Sequence, residues 1–154
     1  MGEETVRIRA VRAPDAPALA QLCGQLGYPA TTEQIVRRLV VLLDRADQGL
    51  FAAEVADGRV VGWIHVQSRS TLESDPFAEI CGLVVDEGQR GRGVGRDLVA
   101  AAERWSAVRG HVVVRVRSNV IRVDTHRFYH QLGYATVKSQ ISFAKSLPNG
   151  TGAA

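Results

Sequence analysis

A glycine-rich turn in the middle of the chain has residue types that suit phosphate chemistry. Arginine and glycine alternate there, after a β-branched run and before an amphipathic run, in the order Arg90, Gly91, Arg92, Gly93, Val94, Gly95 and Arg96. Glycine lets the main chain approach a ligand because no Cβ stands between them. The first N–H groups of the helix predicted from Val94 would converge on an anion at the positive end of the helix dipole. Together with the three arginines, these features predict a pyrophosphate-binding turn.

The glycine spacing distinguishes among the folds that use such a turn. A dinucleotide-binding fingerprint has the order G-x-G-x-x-G with an acidic residue about twenty positions later, whereas this chain has G-x-G-x-G. A P-loop requires Gly-Lys-Ser/Thr, and the first lysine here is Lys138. The remaining pattern, Arg90-x-x-Gly93-x-Gly95 after a strand, resembles the acetyl-coenzyme A site of the GCN5-related N-acetyltransferase (GNAT) superfamily, R/Q-x-x-G-x-G/A. The alternative is a turn that binds no ligand.

A second segment resembles the other signature of this family, A-x-x-F/L-Y-x-x-x-G-F/Y preceded by an asparagine. Its residues are Thr125, His126, Arg127, Phe128, Tyr129, His130, Gln131, Leu132, Gly133 and Tyr134. Thr125 replaces the usual alanine, and Asn119 lies three residues farther from the tyrosine helix than in the family. The resemblance implies that Asn119 and Phe128 contact the cofactor and that Tyr129 protonates the departing thiolate. The alternative for Tyr129 is a core tyrosine.

The resemblance also gives the fourth strand a role. Leu83, Val84 and Val85 stand where the family has a bulge that frees backbone N–H groups for the pantetheine and the thioester carbonyl. Simple alternation predicts that Glu79, Cys81, Leu83 and Val85 share one face. Burial there would raise the pKa of a carboxyl group toward that of a useful base. Resemblance to the histone acetyltransferase branch implies that Glu79 is the general base, and the alternative is a carboxylate that is solvated or paired with an arginine.

The elements around these segments predict an α/β fold. Thr32 is the predicted N-cap of a second helix, after a first helix that Asp15 opens. Strands are predicted over residues 6–11, 51–55, 60–66, 79–85, 111–117, 134–137 and 140–144, with a polar loop over 68–77. The resemblance implies the GNAT fold: a mixed, mostly antiparallel sheet of six to seven strands, splayed between strands four and five and flanked by about four helices. We expect one domain over residues 1–147 and a disordered tail over 148–154.

Composition narrows the class of protein. The chain has 154 residues, of which 45% are hydrophobic, and no apolar run approaches the roughly eighteen residues of a membrane span. It opens with no signal peptide, so the sequence predicts a cytoplasmic protein that does not bind membranes. Cys23 and Cys81 are predicted to be buried, reduced thiols in a helix and a strand. The spacing of histidines and cysteines predicts no metal site.

The net charge of +3 hides an asymmetry along the chain. Residues 88–127 hold nine arginines and three acids, whereas residues 28–79 hold eight acids and five arginines. A basic half suits a polyphosphate cofactor, and an acidic half suits either a cationic acceptor or an ordinary charged surface. No helix-turn-helix, RNA-binding or zinc pattern is present, so nucleic-acid binding is not predicted.

These observations, with the resemblance, predict an N-acetyltransferase that uses acetyl-coenzyme A and no metal. The acceptor is predicted to be a primary amine on a small molecule or a peptide. Two alternatives are an acyl-coenzyme A-binding sensor module without catalysis and a transferase for a longer acyl group. The resemblance leaves the acceptor open and also implies a possible homodimer.

Overall fold

The computed structural model describes residues 5–117 and 123–148. The chain forms two compact units, the first ending at Arg117 and the second comprising the rest. The first unit has the elements β1 (Val6–Ala10), α1 (Ala16–Leu26), α2 (Thr32–Leu42), β2 (Gln48–Val55), β3 (Val60–Thr71), β4 (Ser74–Val85), α3 (Val94–Val108) and β5 (Val114–Val116). The described part of the second unit contains the helix α4 (Val123–Gln131).

The first unit is built on one mixed sheet with the strand order β1-β2-β3-β4-β5. The first four strands are antiparallel to their neighbours, and β5 is parallel to β4. This is an α/β architecture with four helices in the described residues, as expected. The described residues contain five strands, so the prediction of six to seven strands is wrong.

The difference in strand number lies at the end of the chain. Residues 134–137 and 140–144, predicted as strands, have no strand pairing in the structure. Three of their large apolar side chains, Val137, Ile141 and Phe143, are exposed, and Phe143 is 89% exposed. Alternation alone does not form a strand, because a strand also needs a neighbouring main chain to accept and donate its hydrogen bonds. For the same reason β5 is limited to three of its seven predicted residues.

The hairpin of β3 and β4 is longer than predicted. Each strand has twelve residues, and they meet in a tight turn between Thr71 and Ser74. The prediction of a polar loop over residues 68–77 is therefore wrong. The ladder continues through the pairs Ser68–Ala78 and Arg69–Phe77. Polar side chains on one face of this extension hide the apolar alternation by which a strand is usually predicted.

Helices cover both faces of the sheet. α3 packs closely on one face, where a Cβ at Gly49 would lie 2.8 Å from the ring of Trp105. α1 and α2 cover part of the other face, with a core that includes Val11, Leu19, Ala20, Cys23, Ile35, Leu39 and Ala52. The N-cap of α2 is Thr31, whose hydroxyl accepts a hydrogen bond from the N–H of Gln34. The prediction of Thr32 as N-cap is thus wrong by one residue, because its neighbour has the extended conformation that a cap requires.

A buried ion-pair network ties the start of α1 to the first two strands. Arg9 donates to both carboxylate oxygens of Asp15, at 2.8 and 2.9 Å, and to Glu54 at 2.6 Å. Burial by itself would raise the pKa of Asp15, but hydrogen bonds from Arg9 and from the N–H of Arg12 outweigh it and lower that pKa. The carboxylate is therefore charged when the protein is folded at neutral pH.

None of the helices in the described ranges is long and apolar enough to span a membrane.

Candidate active site

The glycine turn joins the end of β4 to α3. Gly91 and Gly93 have φ angles of +78° and +83°, in the left-handed region that favours glycine. Gly93 is the N-cap of α3, and no side chain in the described ranges caps this helix. The first N–H groups of α3, from Val94 onward, therefore keep their hydrogen-bonding capacity for an anion. The structure places the predicted anion-binding donors together at one helix end.

Side chains around the turn hold its conformation and supply positive charge. The Nε of Arg90 donates to the carbonyl of Val85 at 3.0 Å. Arg96 lies over Gly93, so that a Cβ at Gly93 would come within 2.9 Å of its Nη2. Arg92 is exposed at the turn. The turn thus presents three arginines beside uncapped helix N–H groups.

β4 contains a bulge at Cys81. The ladder passes from the pair Ile80–Val66 to the pair Gly82–His65, so Cys81 is an extra residue in β4. β5 pairs with β4 only as far as Ile80. Beyond that residue the described part of the sheet provides no neighbour on this side of β4. β4 thus has a bulge, but at Cys81, two residues before the predicted Leu83, and its described pairing with β5 ends at Ile80.

Main-chain groups of β4 point toward this open edge. The N–H of Asp86 donates to the carbonyl of Val61 on β3 at 2.7 Å. The direction of main-chain groups alternates along an antiparallel strand. The N–H groups of Leu83 and Val85 therefore point away from β3 and toward the open edge, whereas those of Val84 point toward β3.

The bulge also changes which residues share a face of the sheet. The prediction that Glu79, Cys81, Leu83 and Val85 lie on one face is wrong, because the extra residue shifts the alternation. Glu79 shares a face with Gly82, while Leu83 and Val85 lie on the opposite face. Cys81 is exposed rather than buried as predicted, since the bulge removes it from the regular ladder.

The sheet face that carries α1 and α2 becomes polar along β3 beyond Trp63. Cross-strand pairing brings five polar side chains together on this surface, which we call the polar face: Gln48, His65, Gln67, Arg69 and Glu79. A cavity of about 420 Å³ adjoins it and includes Arg45 and Asp47 in its lining. A concave surface with several convergent polar groups is typical of a small-molecule site.

Glu79 is buried in the polar face, where two arginines hold it. Its Oε1 accepts from Nη1 of Arg69 at 3.2 Å and from Nη2 of Arg117 at 3.0 Å. Glu79 is only 6% exposed, so it is not the solvated carboxylate of the first alternative. The pairing with arginine, which the sequence left open as the alternative, is also present. A role for Glu79 as general base stays a prediction.

His65 is the other group of the polar face that can accept a proton. Its Nε2 lies 2.6 Å from Oε1 of Gln48, an oxygen that only accepts, so Nε2 carries the proton and Nδ1 the lone pair. The amide nitrogen of Gln48 donates to Asp47 and Gln67, which fixes this orientation. Burial lowers the pKa of His65. The imidazole is therefore neutral at pH 7 and able to accept a proton.

The polar face also borders an unsatisfied donor. The indole N–H of Trp63 is buried and has no hydrogen-bond partner among the residues that the structure describes. The ring of Trp63 lies directly over Gly82, where an added Cβ would come within 2.9 Å of it. A buried donor without a partner is costly, so this position favours a polar group as neighbour.

Tyr129 belongs to the second unit. It is buried, with the rings of Phe128 and Tyr134 packed edge-on at centroid distances of 5.0 and 5.6 Å. Burial raises the pKa of Tyr129 to about 12, so its hydroxyl keeps its proton at neutral pH. Asn119, the other predicted cofactor contact of this half of the chain, lies outside the described residues.

Two residues of the polar face are not identified by any motif in the sequence. His65 is a lone histidine within a predicted strand, and Arg69 falls within the predicted loop. The available signal is the period-two series Trp63, His65, Gln67 and Arg69, which places four side chains with polar groups on one face of a strand. Over residues 5–117 and 123–148, no three His, Cys, Asp or Glu side chains are grouped so as to hold a metal ion.

Known proteins share this sequence pattern and this fold. A sequence model of the Acetyltransferase (GNAT) family matches residues 17–134. An aminoglycoside N(6')-acetyltransferase type 1 of Stenotrophomonas maltophilia is 31% identical over 144 residues, which cover 91% of this chain and 93% of that protein. An aminoalkylphosphonate N-acetyltransferase of Salmonella typhimurium is 35% identical over 92 residues, which cover 59% of this chain and 58% of that protein.

A solved structure has the same fold over nearly the whole chain. The aminoglycoside N-acetyltransferase AAC(6')-Iy in complex with coenzyme A superposes with a TM-score of 0.83. The match covers 95% of this chain and 98% of that chain, with 19% sequence identity. At this identity the likeness shows the shared fold.

Proposed function

Because the chain belongs to the GNAT acetyltransferase family, we propose that it transfers the acetyl group of acetyl-coenzyme A to a primary amine by direct attack on the thioester. The observation that supports the proposal is the presence of two suitable sets of main-chain N–H groups, one on β4 and one directly after it. The uncapped N-terminus of α3, behind the glycine turn, is suited to an anion, and the open edge of β4 beyond Ile80 is suited to a carbonyl group.

The glycine turn fits the pyrophosphate of acetyl-coenzyme A. A Cβ at Gly91 would meet nothing within 4 Å, so the main chain there is open to a ligand. The N–H groups at the start of α3 and the arginines Arg90, Arg92 and Arg96 would hold the phosphates. Acetyl-coenzyme A supplies an activated acetyl thioester when bound. The remaining chemistry requires the protein to position this thioester, to stabilise negative charge and to move two protons.

The N–H groups of Leu83 and Val85 are suited to the carbonyl of the thioester. They point to the edge of β4 that β5 leaves open, so the sheet does not use them there. Donors fixed where negative charge develops contribute strongly to acyl transfer. The main chain of Val84 points toward β3 and pairs with it. Val84 therefore holds the two donors in position and does not itself contact the thioester carbonyl.

A group of the polar face must accept a proton from the amine. An alkyl ammonium has a pKa of about 10.4, so about one amine in 2,500 is uncharged at pH 7. We assign this step to His65, which is neutral and has its Nδ1 lone pair available as an acceptor. Glu79 is placed to orient Arg69 and Arg117, since its carboxylate already accepts from both. The original prediction of Glu79 as base is the competing assignment.

Tyr129 is proposed to donate a proton to the departing thiolate. The support is its place in the family motif, together with a pKa of about 12 that keeps the hydroxyl protonated. A phenol that holds its proton at neutral pH can act as an acid toward a stronger base as that base forms.

The acceptor is proposed to be a small molecule with a primary amine. The support is the cavity beside the polar face and the acceptors in the names of two relatives, an aminoglycoside and an aminoalkylphosphonate. Both acceptor classes are small polar amines.

The proposal is tested by thiol release from acetyl-coenzyme A with a panel of primary amines. We expect release that depends on the amine, with the acetylated amine found by mass spectrometry. Tight acetyl-coenzyme A binding with no amine-dependent release would instead favour the sensor module. Faster release from longer acyl thioesters would favour the transferase for those acyl groups.

A further inference from the structure

Three arginines converge on Phe77 and Glu79 at the edge of the polar face. Arg69 lies in β3, Arg115 in β5, and Arg117 directly after β5. Arg69 and Arg115 lie over the ring of Phe77, with guanidinium carbons 6.0 and 4.2 Å from its centroid. Arg117 lies beside them through its ion pair with Glu79. We call Arg69, Arg115 and Arg117 the arginine cluster.

Glu79 is the single acid paired with this cluster in the part of the chain that the structure describes. Arg69 and Arg117 share one of its carboxylate oxygens, Oε1. Arg115 makes no ion pair within the described ranges and instead stacks on Phe77. Three guanidinium groups face one carboxylate, which leaves an excess of two positive charges.

The guanidinium groups retain donors for a ligand. The Arg69 and Arg117 side chains are 35% and 66% exposed, although the carboxylate between them is buried. Each guanidinium has five N–H donors in a planar fork that matches the oxygens of phosphate. The buried carboxylate of Glu79 thus holds the exposed guanidinium groups of Arg69 and Arg117 close to each other.

The cluster is separate from the glycine turn. It faces β4 at Phe77 and Glu79, whereas the turn begins after Val85. Glu79 and Val85 are six positions apart, which is up to about 20 Å at the usual rise. The bulge at Cys81 lies between them. The cluster therefore lies at the middle of β4 and the turn beyond its end, and one phosphate-sized anion would not span both.

One acid near the polar face has an arginine of its own. Asp47, in the adjoining cavity, accepts from two nitrogens of Arg45 at 3.1 and 3.0 Å. Asp47 therefore offers little uncompensated negative charge to a polycationic acceptor.

We propose that the acceptor amine also carries a phosphate or phosphonate dianion, and that the arginine cluster binds this dianion. The inference rests on the proposed acetyl transfer and specifies its substrate. The charge of such a group, −1.5 to −2 near pH 7, matches the excess of two positive charges. Binding at the cluster would leave the amine of a short acceptor near His65, on the same face of the sheet.

The test compares matched amines with the unmodified protein. O-phosphoethanolamine and 2-aminoethylphosphonate are compared with ethanolamine, and β-alanine and spermidine represent a monoanionic and a polycationic amine. We expect kcat/KM for both dianionic amines to exceed that for ethanolamine by about ten- to hundredfold, the effect of one or more charged hydrogen bonds. Equal kcat/KM for ethanolamine, or a preference for spermidine, would overturn the inference and leave the acetyl transfer standing. Absence of turnover with every amine would overturn both.

A substitution in the arginine cluster tests whether the cluster is the source of the preference for dianionic amines. Arg115→Gln removes one positive charge without touching the ion pairs of Glu79, and Arg59→Gln, at an exposed arginine in the turn between β2 and β3, is the matched control away from the cluster and its cavity. We expect Arg115→Gln to raise KM for O-phosphoethanolamine about tenfold, with KM for ethanolamine and acetyl-coenzyme A binding unchanged. Inorganic phosphate should also inhibit the unmodified protein in competition with the amine. An equal rise in KM for both amines would contradict an anion-binding role for the cluster.

Discussion

Gly93 gives the sharpest test of the pyrophosphate site, because the chain contains a matched control for it. Gly93 begins α3 and Gly110 follows its end, and both have a φ angle of +83°. Alanine at either position therefore introduces the same backbone strain at opposite ends of one helix. Alanine is preferable to a β-branched residue, for which a positive φ is a severe outlier.

The expected effects follow from the two environments. The left-handed conformation costs a non-glycine residue about 1–2 kcal/mol, so both variants should lose about this much stability. At Gly110 the added Cβ would meet nothing within 4 Å, and at Gly93 it would lie 2.9 Å from the movable end of Arg96. At Gly93 the methyl group also intrudes on the anion site. Loss of one charged hydrogen bond, about 1.5–3 kcal/mol, corresponds to about a ten- to hundredfold rise in Kd.

Isothermal titration calorimetry with acetyl-coenzyme A, beside thermal unfolding of both variants, separates binding from stability. We expect similar losses in Tm and a rise in Kd confined to Gly93→Ala. If both variants bound acetyl-coenzyme A with the Kd of the unmodified protein, the turn would not be the pyrophosphate site. Equal weakening in both would attribute the effect to strain in α3.

Three further outcomes are expected. His65→Gln should abolish the acidic limb of the pH profile of kcat/KM. That limb lies below pH 6.5 because burial lowers the pKa of His65. Glu79→Gln should keep the limb, and the reverse result would make Glu79 the base. Tyr129→Phe should lower kcat by about ten- to a thousandfold with an unchanged Kd for acetyl-coenzyme A, and full turnover would make Tyr129 a packing residue. Asp15→Asn should cost about 1–3 kcal/mol at pH 7 in urea unfolding, since it breaks the pair with Arg9. The pKa of Asp15 is lowered on folding, so its contribution is present above the unfolded value and is lost as the pH falls below about 4; a difference that persists at pH 2 would contradict this account.

The glycine turn and the helices were predictable from the sequence because their signals are local. The turn needs glycine at two positive φ angles, and α3 shows an apolar stripe at helical spacing with Leu98 and Trp105 on it. Such features depend on residues within a few positions of one another. The prediction of these elements therefore required no knowledge of the rest of the fold.

The polar face was harder to predict because its residue types do not indicate a strand. His65, Gln67 and Arg69 are polar on the face that an ordinary strand would bury, so this part of β3 lacks the usual apolar alternation. The bulge at Cys81 then shifts the alternation in β4, and no residue type marks that shift. Pairing with β3 decides it, so the face of Glu79 could be assigned only from the register.

The bulge at Cys81 also bears on how such an enzyme can diverge. It divides β4 into residues 74–80, where Phe77 and Glu79 contact the arginine cluster, and residues 82–85, which carry the open-edge amides. If the second part acts through its main chain, as proposed, side-chain changes in the first part and in the neighbouring β3 should leave it undisturbed. Gene duplicates of this chain could thus acquire new acceptors by short mutational paths through positions 65, 67 and 69 of β3 and 77 and 79 of β4. A saturation library restricted to these positions should yield altered acceptor ranges among variants that still bind acetyl-coenzyme A.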